Sequence, residues 1–224
     1  LSPYSAFVFD LDGTLTDNMP FHVEAFQVFV ARHGLPPLTE GDRARLDGKT
    51  NSEILPILFG RDLTPEEIRL YAHEKETLYR ELSHGRLSPL PGLEPLLDAL
   101  DAAGLPAAVA TSAPAENVDH TLAELGLRPR FRALARSDEA GRGKPWPDVF
   151  LLAARRLEVD PQRCLAFEDA PMGVLAARAA GMRVVGITTS FSRAAFSTHG
   201  APVDEAAPDY EAWLRSNSEA LALT

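Results

Sequence analysis

The chain has one cysteine, Cys164, so no disulfide can close within it and nothing points to a secreted, disulfide-framed fold. Cys164 heads an apolar run and reads as a small core residue. No apolar run approaches the roughly 20 residues that cross a bilayer. The first residues carry neither the basic nor the hydrophobic region of a signal peptide, so the cytoplasm is the expected compartment. Positive charge is scarce: 22 Lys and Arg face 32 Asp and Glu, giving a net charge of −10. That balance argues against nucleic acid or an acidic membrane surface as a partner. It leaves room for a small phosphate ester, provided a metal and a few donors act locally. His33, His73, His84, His120 and His199 show no metal-ligand spacing. Repeats and low-complexity segments are absent, and nothing in the sequence speaks to oligomeric state.

What is present is enough for one large or two unequal domains, since 224 residues at 45% apolar content can fill a core. The chain opens on a short buried strand, Ala6 to Phe9, which runs into Asp10-Leu11-Asp12-Gly13-Thr14. Carboxylates just past a buried strand are costly to desolvate unless a cation or donors meet them. A single capping aspartate is common after strands; two, followed by Gly-Thr, make that the weaker reading.

Pro20 then starts an amphipathic helix carrying Phe21, Ala25, Phe26, Phe29 and Val30, with Gly34 as its stop. Helical segments follow at about 39–46, 51–59 and 64–82. The last starts at Thr64-Pro65-Glu66-Glu67, with a capping threonine, proline in the first turn and acids beside it. This block holds no convincing strand, so residues 17–88 read as an inserted four-helix unit. From residue 89 onward helix and strand alternate. Helices are expected over 93–103, 114–125, 148–157 and 174–180, and strands over 107–110, 131–135, 164–167 and 184–188. A short helix is expected around Trp213. Such alternation predicts an α/β fold: a Rossmann-like parallel sheet, formed by 1–16 and 89–224 and covered by helices on both faces.

In an open parallel sheet, all strand carboxyl ends share one edge, where such folds bind ligands. Asp10, Thr111-Ser112 and Glu168-Asp169 each end a buried strand and are therefore expected to converge. Asp10, Asp12, Glu168 and Asp169 together repel unless a cation sits among them, and an all-oxygen set points to Mg²⁺. Lys144, in a loop stiffened by Pro145 and Pro147, is suited to neutralise a phosphoryl group beside them. Two glycine runs are decoys. Gly48-Lys49-Thr50 lacks the first Walker glycine, where Arg43 stands, and Gly141-Arg142-Gly143 lacks the strand of a dinucleotide fingerprint.

The order Asp-x-Asp-Gly-Thr, Thr-Ser, Gly-Lys-Pro-x-Pro-Asp and Glu-Asp resembles the four motifs of the haloacid dehalogenase superfamily, over almost the whole chain. A helical insert directly after the first motif resembles its C1-capped, β-phosphoglucomutase-like group. Asp12 separates the chain from true haloalkanoate dehalogenases, which lack a second aspartate. A cap-lysine Schiff base, as in phosphonatases, stays a remote option through Lys49 or Lys75. The resemblance implies Asp10 as nucleophile and Asp12 as general acid/base, with Thr111, Ser112 and Lys144 on the phosphoryl oxygens. Asp10, the Asp12 carbonyl and the Glu168-Asp169 pair would hold Mg²⁺. It also implies substrate contacts at His22, Gly48 and Lys75, with the cap closing over the site. His22 as a half-buried helix histidine and Lys75 as a solvated charge remain open beside that reading.

The expected activity is hydrolysis of a small phosphorylated metabolite, a sugar phosphate by group. The alternatives are a β-phosphoglucomutase and a silent relative that binds phosphate compounds or a partner protein. Silence fits poorly with an intact pair of aspartates. The mutases carry a lysine just before the cap glycine and an arginine three residues after it, where this chain has Asp47 and Asn51. They also have Ser-Lys-Asn where this chain has Ala113-Pro114-Ala115. These departures favour the phosphatase.

Overall fold

The computed structural model describes residues 3–39, 41–42 and 50–217. The chain forms two compact units: Leu1–Asp17 with Leu87–Thr224, and the intervening Asn18–Arg86. Among the described residues six strands are present: β1 (Ala6–Phe9), β2 (Ala107–Thr111), β3 (Ala133–Arg136), β4 (Cys164–Glu168), β5 (Arg183–Ile187) and β6 (Glu205–Ala207). Helices α1 (Met19–Arg32), α2 (Asn51–Phe59) and α3 (Pro65–Ser83) lie in the insert. The larger unit carries α4 (Leu93–Ala102), α5 (Ala115–Glu124), α6 (Ser137–Ala140), α7 (Asp148–Leu157), α8 (Pro171–Ala179), α9 (Arg193–Thr198) and α10 (Tyr210–Asn217).

The sheet runs β3-β2-β1-β4-β5-β6 with every neighbouring pair parallel. Such pairing needs both faces covered, and the period-2 alternation of β1 shows how. Phe7 and Phe9 face a cluster built with Leu93, Leu97, Val118, Leu122, Tyr210 and Trp213, from α4, α5 and α10. Ala6 and Val8 face the opposite cluster, where Val149, Phe150, Val174 and Phe196 come from α7, α8 and α9. The first face is aromatic: Phe9 stacks on Phe167 at 5.0 Å, and Trp213 meets Phe167 edge-on at 5.1 Å. The second is lined by small strand residues such as Ala108, Ala110 and Ala166. Cys164 belongs to this second core, and burial pushes its thiol up to about 11. It behaves as the small core residue its position suggests.

Several boundaries depart from the sequence pattern, each for a local reason. The strand expected from Phe131 begins at Ala133, because Arg128–Arg130 form a 3₁₀ turn and the Phe131 ring meets Phe9 edge-on at 5.8 Å. Helix α8 begins at Pro171 rather than Val174, since proline in the first turn forfeits no helical hydrogen bond. Strand β6 and helices α6 and α9, all of six residues or fewer, are too short for periodicity to reveal.

The insert has its own core of Ala25, Phe29, Val30, Leu55, Leu78 and Tyr79. The Thr64 hydroxyl accepts the Glu67 N–H, and Glu67 accepts the Thr64 N–H at 2.8 Å, a reciprocal cap on α3. Of the four helices expected here, three lie in the described residues; in the 39–46 segment residues 41–42 are described and helical, and residues 40 and 43–46 lie outside them. Among the described residues no helix is long and apolar enough to cross a membrane.

Candidate active site

The strand order places β1 between β2 and β4, where chain connections diverge to either side and leave a crevice beyond the strand ends. Asp10 follows β1 and donates its N–H to Phe167 O of β4 at 3.0 Å. Glu168 is the last residue of β4 and Asp169 the next. Lys144 reaches both carboxylates, with its Nζ 2.5 Å from Asp10 Oδ1 and 2.6 Å from Glu168 Oε1. The second Glu168 oxygen accepts the Ala170 N–H at 2.9 Å. Thr14 donates to Asp169 Oδ1 across 3.5 Å. Beneath the lysine lies the Phe150 ring, its centroid 5.2 Å from Nζ.

One cation among so many acids leaves a negative excess. Burial pushes Asp10 well above the usual carboxylate range; Lys144 opposes this, and Glu168, Asp169 and Asp12 add to it. Burial and Glu168 push Asp169 up to about 8, against Ser190 and Lys144. Burial pulls Lys144 down, but Asp10 and Glu168 outweigh it and hold the ammonium firmly charged. One carboxylate oxygen each from Asp10, Glu168 and Asp169 lies within 4.8 Å of the others, on three buried residues. Three convergent oxygens with unrelieved repulsion fit a hard divalent cation such as Mg²⁺. The Asp12 carboxylate is not one of this trio.

Two glycines make the approach of these acids possible. A Cβ on Gly13, whose φ is +75°, would sit 2.1 Å from Asp169 Oδ2, and one on Gly173 would sit 1.6 Å from Glu168 Oε1. Gly13 also closes the turn after Asp12 by donating its N–H to Thr16 O at 2.9 Å. At the end of β2 the buried Thr111 hydroxyl accepts the Ala113 N–H at 3.0 Å. Ser112 is exposed, 3.1 Å from the Ser137 hydroxyl, which itself donates to Thr111 O.

His22 and Lys75 belong to the helical unit, where they meet each other. Lys75 Nζ is 2.8 Å from His22 Nδ1 and 2.9 Å from Glu76 Oε1, and Asn51 donates to the same Glu76 oxygen at 2.6 Å. The His22 ring stacks on Tyr79 at 3.9 Å. Lys75 is therefore a buried charge rather than a solvated one. Gly48, with Asp47 and Lys49, lies outside the described residues. Burial raises the Glu76 carboxyl, but Lys75, His22 and Asn51 outweigh it and hold it below the usual range. A lowered carboxyl contributes stability above its unfolded value of about 4.3, lost as pH falls through the folded value. Glu76→Gln is expected to cost about 1.5–3 kcal/mol at pH 7. The gap to the parent protein should close in acid, and thermal melts showing an equal gap at about pH 3 would exclude this role.

The sequence reading missed Thr189, Ser190 and Tyr210. Thr189 donates to Gly13 O at 2.5 Å, the Ser190 side chain hydrogen-bonds Asp169, and Tyr210 donates to Thr14 O at 3.0 Å. A signal existed for the first two. Thr188-Thr189-Ser190 is a hydroxyl run just past a buried strand, the same pattern that singled out Thr111-Ser112.

Residues 4–181 match the family model described as haloacid dehalogenase-like hydrolase. The chain is 34% identical over 186 residues to fructose-1-phosphate phosphatase YqaB of Escherichia coli, covering 82% of this chain and 96% of that one. It is 36% identical over 187 residues to hexitol phosphatase A of the same organism, covering 81% of this chain and 82% of the relative. A β-phosphoglucomutase structure from Clostridium difficile superposes with a TM-score of 0.81 at 26% identity, covering 98% of both chains. With the motifs gathered on one sheet edge and the match spanning most of its length, the chain belongs to the haloacid dehalogenase-like hydrolase family.

Proposed function

We propose that the protein is a Mg²⁺-dependent phosphatase that hydrolyses a small phosphorylated sugar or sugar alcohol through an aspartyl-phosphate on Asp10. The observation that carries this reading is Lys144 bridging Asp10 and Glu168 at 2.5 and 2.6 Å. The ammonium favours the ionised Asp10 carboxylate against burial and the neighbouring acids, and meets the incoming phosphoryl charge with its own. Asp10 forms a bond to phosphorus as the ester P–O bond breaks. Asp12 gives the departing oxygen its proton, then takes one from the water that displaces Asp10. Thr111 and Ser112 donate to the phosphoryl oxygens. Asp10, Glu168, Asp169 and the Asp12 carbonyl would hold Mg²⁺, which when bound offsets phosphoryl charge and fixes the in-line geometry. His22 and Lys75 serve recognition of the leaving group.

Hydrolysis rather than transfer is supported by the helical unit. Where the mutases have an arginine, Asn51 stands, and its amide is bound to the Glu76 carboxylate. Asn51 itself offers a second phosphate no charge, and the Lys75 ammonium beside it is engaged by His22 and Glu76. Losing two or three charge-assisted contacts of about 1.5–3 kcal/mol each weakens a bisphosphate by orders of magnitude. The relatives named for fructose 1-phosphate and hexitol phosphates suggest the first substrates to try. A panel of these, with and without Mg²⁺, should release inorganic phosphate in the metal's presence. β-Glucose 1-phosphate with a trace of glucose 1,6-bisphosphate should give no rapid glucose 6-phosphate. Glucose 6-phosphate formed with little inorganic phosphate would replace the phosphatase with a mutase.

A further inference from the structure

The turn that carries Asp12 is held from outside by residues late in the chain. At Gly13 and Thr14 the chain has left β1, so their carbonyls have no ladder partner and need donors from elsewhere. Both receive hydroxyls: Gly13 O accepts from Thr189 at 2.5 Å and Thr14 O from the buried Tyr210 at 3.0 Å. Thr189 is itself anchored. The preceding Thr188 donates its N–H to Ala207 O at 2.9 Å and its hydroxyl to the same oxygen at 3.4 Å, fixing the loop root to β6. On its other side the loop presses Ser190 Oγ to within 3.0 Å of where a Gly13 Cβ would lie. Gly13 is thus confined between Asp169 and this loop, its N–H on Thr16 and its carbonyl on Thr189.

The Gly13 N–H belongs to the peptide unit that starts at the Asp12 Cα, and the Gly13 carbonyl to the next unit. Holding both fixes the two planes about the Gly13 Cα and, through the first of them, the position of the Asp12 Cα. We infer that Thr189 is a positioning residue for the reaction: through the Gly13 carbonyl it sets the direction of Asp12, and so the delivery of a proton to the departing oxygen. This rests on the proposed role of Asp12 as general acid. It follows that Thr189 matters in proportion to how much the leaving group needs that proton. A sugar alkoxide leaves poorly without it, while p-nitrophenolate leaves readily as the anion.

The experiment compares kcat/KM for a sugar phosphate and for p-nitrophenyl phosphate in Thr189→Val, Thr189→Ser and Asp12→Ala. This parameter reports the step in which the P–O ester bond breaks, and its ratio between two substrates does not depend on the folded fraction of a variant. Thr189→Val should lose about tenfold or more on the sugar phosphate, part of the general-acid contribution, and less than about threefold on the aryl ester. Thr189→Ser, which keeps the donor, should restore the parent ratio. Asp12→Ala should show the same selectivity more strongly. Equal losses on both substrates in Thr189→Val, with Asp12→Ala still selective, would overturn the role of Thr189 alone. An Asp12→Ala variant with no selectivity would overturn the general-acid reading and this inference with it.

Discussion

Asp10→Asn is expected to abolish phosphate release, by about 10⁴-fold or more in kcat, while leaving a folded protein. An amide nitrogen or oxygen cannot form the acyl-phosphate that divides the hydrolysis into two easier steps. Stability should move the other way. Burial and the Glu168, Asp169 and Asp12 carboxylates all disfavour the Asp10 charge, with Lys144 opposing them. A neutral amide of the same shape relieves that repulsion, and Lys144 keeps Glu168 as its partner at 2.6 Å. Thermal melting of metal-free protein should therefore show a midpoint equal to or above that of the parent. Turnover within a few-fold of the parent would remove Asp10 as nucleophile. A collapse in stability would instead mean that the carboxylate holds the fold together.

The carboxylates could be read from the sequence because each ends a strand that is apolar throughout, and a parallel sheet sends all such ends to one edge. Asp10, Thr111, Glu168 and Asp169 follow from that rule, and Lys144 follows from being the cation in a proline-stiffened loop. The helix-forming signals were equally local. Thr64-Pro65-Glu66-Glu67 marks the start of α3, and the reciprocal Thr64–Glu67 bonds are there. The supports of the site were not legible in the same way. Thr189 and Tyr210 act on the backbone carbonyls of Gly13 and Thr14 across 176 and 196 residues of chain, and a backbone carbonyl leaves no mark on the sequence. The pairing of Lys75 with His22 and Glu76 was hidden for another reason. Flanked by Glu74 and Glu76, the lysine looks like one more charge on a polar helix, and its burial depends on which face of α3 meets α1. The clearance for Glu168 was equally hidden, since glycine in a helix ordinarily reads as a weakness.

That clearance supplies the second large effect. Gly173 lies within α8 at ordinary helical φ, so alanine there meets no backbone strain, and in an open helix it would be stabilising by up to about 1 kcal/mol. Here the new methyl would fall 1.6 Å from Glu168 Oε1 and 1.9 Å from its Cδ. The carboxylate has nowhere to go, being 1% exposed with one oxygen on Lys144 and the other on the Ala170 N–H. Either Glu168 swings away, which takes from Lys144 one of its two carboxylate partners and spoils its placement over Asp10, or α8 withdraws from β4. A displacement of about 1 Å at reacting groups is enough to cost roughly 100-fold. A buried ion pair broken on one side costs about 3–5 kcal/mol, which exceeds the helix-propensity gain. Gly173→Ala should therefore lose at least about 100-fold in kcat/KM and lower the thermal midpoint. The sign of its stability effect should reverse when Glu168 is first cut back to alanine, because the clashing atoms are gone and only the helix preference remains. A double-mutant cycle in thermal stability reads this directly. If Gly173→Ala destabilises equally with and without the Glu168 carboxylate, the close approach of α8 to that side chain is not what the glycine provides.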